Sequence, residues 1–214
     1  MKKGIILLVF VLLFIFGCTS QEIKTLQSIE INEYEGKKLS SIGDFRENSI
    51  KGPQYINISD YELEITGLVE NPIKLNYDEV LDHQKYKKVV KLNCVEGWSA
   101  NILWEGMLLK YILEKTKPLS EANTIIFYAY DGYSTSFPIE YVMDNDIMIA
   151  YKMNDVIMPP ERGFPFQLVA ESKWGYKWIK WITKIELSDD EDYEGYWEKR
   201  GYSDTGNLKE GFLK

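Results

Sequence analysis

Val89-Val90-Lys91-Leu92-Asn93-Cys94-Val95-Glu96-Gly97-Trp98-Ser99 carries a β-branched run straight into a turn. The run reads as a strand because branched side chains pack well on a pleated surface, and Gly97 supplies the backbone freedom that a tight turn requires. At the junction stands Cys94, the one cysteine of the chain apart from Cys18 near its start. A thiol in that position has three readings: a small buried hydrophobe, a nucleophile or a metal ligand. The remainder of the chain has to decide among them.

Outward from this stretch the patterning is that of a folded domain. Tyr61-Glu62-Leu63-Glu64-Ile65-Thr66 alternates apolar and polar residues, as on a half-buried strand, and Gly67 closes it. Asn76 and Glu79 are spaced as a capping box opening a short helix to about Leu81. Met107 to Lys115 puts Leu108, Tyr111 and Ile112 on one helical face, with Pro118 just past the end. Thr124 to Tyr130 is apolar enough for a central strand ended by Asp131-Gly132, and Pro138 to Val142 suits one helical turn. Asp146 to Tyr151 and Val156 to Met158 flank Asn154-Asp155, residues that tolerate positive φ, so a hairpin is expected. Phe166 to Ala170 and Ile179 to Leu187 complete the strands. Strands mixed with short helices predict an α+β fold rather than a doubly wound sheet.

Composition sets the outer bounds. With 214 residues, 45% hydrophobic and 27% charged, the chain has enough apolar content for one full-sized domain and sits far from the disordered class. A net charge of -8 without a dense basic run argues against a nucleic-acid partner. The single histidine, His83, lies in the polar stretch Leu81-Asp82-His83-Gln84-Lys85, which suits a surface position better than a catalytic relay. Lys2-Lys3, the apolar run from Gly4 to Phe16 and then Gly17-Cys18-Thr19-Ser20 form an export leader resembling a bacterial lipoprotein signal, with Cys18 as the lipid anchor. The expected layout is therefore a signal over 1–17, a tether and extended arm over 18–51, a domain over 52–200 and a tail over 201–214. That places the domain outside the cytoplasmic membrane and leaves Cys94 as the sole thiol of the mature protein.

A second stretch is equally unusual. Trp174-Gly175-Tyr176-Lys177-Trp178-Ile179-Lys180-Trp181 follows Pro159-Pro160-Glu161-Arg162-Gly163-Phe164-Pro165-Phe166-Gln167. The tryptophans either fill the core while lysine stems run along them to water, or flank a planar ring whose negative charge the lysines neutralise. Spacing alone leaves both open.

The combination of Cys94-Val95-Glu96-Gly97-Trp98-Ser99, Trp104-Glu105-Gly106, Gly163-Phe164-Pro165, Gly175 to Trp181 and Gly195-Tyr196-Trp197 resembles the molybdopterin-binding domain of the sulfite oxidase family. It is especially similar to the bacterial branch that includes the periplasmic methionine-sulfoxide reductase catalytic subunit. The resemblance implies the sulfite-oxidase-type fold, mixed β-sheets with short peripheral helices. It implies Cys94 as catalytic thiolate ligand of molybdenum, and Mo-molybdopterin in its mononucleotide-free form as cofactor. Trp178, Ile179 and Lys180 would hold the pterin phosphate, Lys177 would add countercharge, and Asn48 matches an asparagine that contacts the pterin. Gln167 stands where the family carries a phosphate-binding arginine, Ala129 where a threonine is expected, and Arg162 where an asparagine is expected, so Arg162 would return the missing guanidinium. Trp98 and Tyr133 are candidates for contacting substrate.

The implied reaction is oxygen-atom transfer to or from a small oxo-acceptor or oxo-donor substrate. With no haem-binding Cys-x-x-Cys-His motif in the chain, electrons would pass through a separate protein, a haem membrane subunit or a cytochrome. Exported relatives generally carry a twin-arginine leader because the cofactor enters folded protein, whereas this chain begins Lys2-Lys3. The alternative is a cofactor-free ligand- or protein-binding lipoprotein on the same scaffold.

Overall fold

The computed structural model describes residues 22–214. The signal segment and Cys18 lie outside the described residues. An N-terminal arm carries α1 (22–27) and the two-residue strands β1 (Glu33–Tyr34) and β2 (Lys37–Lys38). The domain follows as β3 (Glu62–Gly67), β4 (Ile73–Asn76), α2 (Tyr77–Leu81), β5 (Tyr86–Asn93), β6 (Ser99–Leu108), α3 (Leu109–Thr116), β7 (Thr124–Ala129) and β8 (Ser134–Pro138). It closes with α4 (Ile139–Asp144), β9 (Met148–Met153), β10 (Val156–Ile157), β11 (Gln167–Val169) and β12 (Ile182–Ser188).

Two sheets result. One is antiparallel in the order β10-β9-β6-β5, with β11 also paired to β9; the other runs β4-β3-β12-β7-β8, with β12 parallel to β3. Their apolar faces share one core, to which Val90, Ile102 and Ile149 come from the first sheet and Leu63, Phe127 and Ile185 from the second. The fold is α+β, as expected, with short helices at the edges.

Local signals behave as their chemistry requires. Asn76 accepts from the Glu79 amide and Glu79 accepts from the Asn76 amide, closing the capping box reciprocally. Asn154 and Asp155 take φ of 48° and 66° between β9 and β10, the left-handed pair that a tight hairpin needs.

Two expectations shift. The helix expected from Met107 begins only at Leu109, because Met107 and Leu108 belong to β6. Gly106 explains the longer strand: a Cβ there would lie 2.1 Å from the Ile149 carbonyl oxygen, so glycine alone lets β6 approach β9, with a bulge between Glu105 and Gly106. The strand expected from Ile179 begins at Ile182. Ahead of it the Trp178 indole donates to the Lys173 carbonyl and the Trp181 indole to the Pro160 carbonyl, and Trp181 has φ of 53°. Satisfying both buried indoles turns the chain out of extended geometry.

The arm and the tail both fold onto the domain. Buried Asn154 donates to Glu30 (2.7 Å) and to the Ser40 carbonyl (2.9 Å) and accepts from the Leu103 amide (3.1 Å), so one hairpin residue ties the arm to β6. The tail lies against 172–177, where the Trp174 amide donates to the Gly206 carbonyl and the Leu208 amide to the Ser172 carbonyl.

Candidate functional site

Cys94 leaves the end of β5 in a turn closed by two hydrogen bonds. Its amide donates to the Trp98 carbonyl (2.9 Å), and the Gly97 amide, at φ of 88°, donates back to the Cys94 carbonyl (3.1 Å). The residue is 9% exposed and stands in the wall of a cavity of about 400 Å³, a volume ordinary for a cofactor or small-ligand site. Asn48 of the arm donates its side-chain amide to the Cys94 sulfur at 3.6 Å. Burial pushes the thiol above its usual range, while that contact and nearby backbone amides pull the other way.

The arm crosses this cavity as a strap. Next to Asn48, Glu47 takes the Lys180 ammonium at 2.5 Å, so adjacent arm residues reach the thiol and the lysine. Lys180 also meets the Glu161 carbonyl (3.4 Å) and lies 4.4 Å from the centre of the Trp181 ring. Burial lowers its basicity, with Arg162 adding to the shift and Glu47 and Asp131 opposing it. Arg162 fixes the strap: its Nε donates to the Ile42 carbonyl (2.9 Å), its Nη2 to the Phe45 carbonyl (2.6 Å), and its guanidinium stacks 4.1 Å from the Phe45 ring centre. Phe45 in turn stacks on Trp98.

The residues singled out in the sequence separate into two groups. Cys94, Asn48, Arg162, Gln167, Trp178, Ile179 and Lys180 all line the cavity, as do Trp98 and Tyr133. Lys177 does not: it is 0% exposed, and its ammonium is held by Glu198 (2.7 Å) and the Asp204 carbonyl (2.9 Å). His83 lies beyond α2, its ring against the Glu79 carbonyl, and takes no part in the cavity wall. Ala129 is buried at the end of β7.

Others had no clear signal. Asp131 read only as a turn residue, yet it is buried in the cavity wall, accepting the Tyr133 amide. Glu47 and Phe45 come from an arm without periodicity, and only folding brings them over Cys94.

A pterin cofactor finds a fitting set of groups here. Among the described residues no group of three or more His, Cys, Asp or Glu side chains is placed to hold a metal ion. A metal at Cys94 would therefore take its other ligands from its own cofactor, and a lone soft thiolate suits a redox-active metal. Buried polar atoms await partners: the Ser49 hydroxyl and Glu161 Oε2 have none, and both residues line the cavity. Gln167 is buried in the same wall. A Cβ on Gly163, at φ of 98°, would meet Gln167 and the Lys180 stem at 3.0–3.1 Å, so a side chain there would press on two residues of the cavity wall.

Comparison with known proteins agrees with this chemistry. Residues 50–197 match the model of the oxidoreductase molybdopterin binding domain. The chain is 30% identical over 156 residues to the uncharacterized oxidoreductase YuiH of Bacillus subtilis, covering 72% of this chain and 78% of that one. It is 29% identical to the protein-methionine-sulfoxide reductase catalytic subunit MsrP of Campylobacter jejuni, covering 72% of this chain and 57%, little more than half, of MsrP. The sulfane dehydrogenase SoxCD from Paracoccus pantotrophus superposes with a TM-score of 0.63 at 22% identity, over 72% of this chain and 43% of that one, a likeness of fold.

Proposed function

Because the chain belongs to the oxidoreductase molybdopterin binding domain family, we propose that it is a membrane-tethered, extracytoplasmic oxidoreductase with Cys94 as the thiolate ligand of a molybdenum pterin. The observation that carries this is the Cys94 thiol itself, at the end of β5 in a cavity wall with an amide donor on its sulfur. Bound there, the cofactor supplies two-electron oxygen-atom transfer, the bond chemistry that no side chain provides. Gln167 and Lys180 would take its phosphate, Trp178 and Ile179 would close the floor against water, and Arg162 would hold the strap. A cavity of about 400 Å³ suits the pterin without an appended nucleotide. Tethering rests on the leader and Cys18.

For substrate, a neutral sulfoxide fits better than an oxyanion. Glu47, Glu96, Asp131 and Glu161 line the cavity against Arg46, Arg162 and Lys180, so sulfite or nitrate would meet no surplus of positive charge. Similarity to a protein-methionine-sulfoxide reductase points the same way. The balanced reaction takes a sulfoxide, two electrons and two protons to a sulfide and water. The electrons would come from a separate haem membrane subunit or a cytochrome, in keeping with a relative named as a catalytic subunit.

The test is molybdenum content and dye-linked sulfoxide reduction in protein recovered from its native membrane. Cys94→Ser should lose turnover while remaining folded, since a hydroxyl is a much harder ligand than a thiolate. A variant that keeps metal and turnover ends the proposal. A second reading, a cofactor-free binding lipoprotein, draws support from Glu47 already neutralising Lys180 and from Gln167 in place of an arginine. Folded native protein without molybdenum would establish that reading instead.

A further inference from the structure

We propose that the segment after Trp197 builds the substrate-facing wall of the cavity, with Tyr202 as a specificity-determining residue whose ring packs against the carbon groups of a neutral sulfoxide. The inference rests on the oxidoreductase reading and adds a residue outside the matched family domain, which ends at 197.

Burial divides the cavity into floor and rim. Arg162, Gln167, Trp178, Ile179 and Trp181 are buried, whereas Trp98, Tyr133, Tyr176, Trp197 and Tyr202 are half-buried. A cofactor held from the floor leaves the rim to whatever arrives from solvent. That rim is aromatic, and two of its hydroxyls are already engaged: Tyr133 donates to the Tyr176 carbonyl and Tyr176 to the Ser203 carbonyl. Tyr202 completes it, with its ring centre 5.0 Å from Trp197 and 5.1 Å from Tyr176.

The segment is anchored well enough to hold a ring in place. Glu198 is buried on Lys177 and the Thr135 hydroxyl, and the Asp204 carbonyl caps the same ammonium. Gly206 lies over the Lys177 stem so closely that a Cβ there would sit 2.4 Å from Cγ. The Tyr202 amide donates to the Trp197 carbonyl, and Tyr202 bridges to Leu213. Ring faces are electron-rich, and the C–H groups beside a sulfoxide sulfur are electron-poor, so the wall favours methyl- and methylene-bearing sulfoxides over bare oxyanions.

The experiment compares wild type, Tyr202→Ala and Tyr202→Phe as molybdenum-loaded protein, with L-methionine sulfoxide and dimethyl sulfoxide as substrates. Binding of dimethyl sulfone, which offers the same carbon groups, is followed alongside by calorimetry. Tyr202→Ala should raise KM for both sulfoxides and weaken sulfone binding by about three- to tenfold, with kcat and molybdenum content unchanged. Tyr202→Phe, which keeps the ring, should restore both values. Unchanged KM and sulfone affinity in Tyr202→Ala overturn the inference, as does metal loss in step with activity, which marks a structural role. A wild type that holds molybdenum but turns over neither sulfoxide removes the substrate reading, and the inference falls with it.

Discussion

Replacing Lys177 by methionine separates a structural lysine from a cofactor-binding one. The substitution removes the ammonium but keeps most of the stem volume in a site where Lys177 is 0% and Glu198 1% exposed. Glu198 is left with Oε1 on the Thr135 hydroxyl at 2.7 Å and with Oε2, which already lacks a partner, still bare. The Asp204 carbonyl loses its donor as well. Breaking one side of a buried pair costs about 3–5 kcal/mol, because the remaining charge stays desolvated. For a domain of this size that lowers the melting midpoint by roughly 6–20 °C. Thermal melting of wild type, Lys177→Met and Lys177→Met/Glu198→Leu is the assay, with molybdenum measured per folded molecule. The double variant should recover more than half of the loss, since no bare carboxylate remains, and molybdenum per folded molecule should match the wild type in both. Molybdenum lost at an unchanged melting point would refute the reasoning and return Lys177 to the cofactor.

Further outcomes follow from the strap and its anchor. Glu47→Gln removes the carboxylate that competes for Lys180 and should tighten binding of inorganic phosphate by about three- to tenfold in equilibrium dialysis; unchanged or weaker binding would show that Lys180 is not an anion seat. Asn154→Ala loses three side-chain hydrogen bonds at a residue with φ of 48°, which should cost about 2–4 kcal/mol and speed proteolysis within residues 22–51. An arm cut at the wild-type rate would disprove the anchor.

Much of the scaffold is legible locally. The capping box at Asn76, the left-handed turn at Asn154-Asp155 and the alternation in β3 all depend on residues a few positions apart, so short-range chemistry specifies them. The end of β6 and the start of β12 depart from the local pattern for one shared reason. Gly106 and Trp181 answer to distant backbone, the Ile149 and Pro160 carbonyls, and no local period records such contacts. In the candidate site the thiol and the tryptophan ribbon stand out by composition. The division of labour between two lysines three residues apart does not, because Lys177 finds Glu198 and Lys180 finds Glu47 only after folding.

By itself, then, the amino-acid order determined the fold class, the place of Cys94 at a strand end and the aromatic, lysine-bearing stretch opposite it, since these follow from side-chain period and turn chemistry. Only the tertiary structure decided which cation reaches the cavity, that the arm lies across it, and that Tyr202 stands at its rim. Charge pairing and burial join residues far apart in the chain, and their free energies depend on distance and desolvation rather than on spacing in sequence.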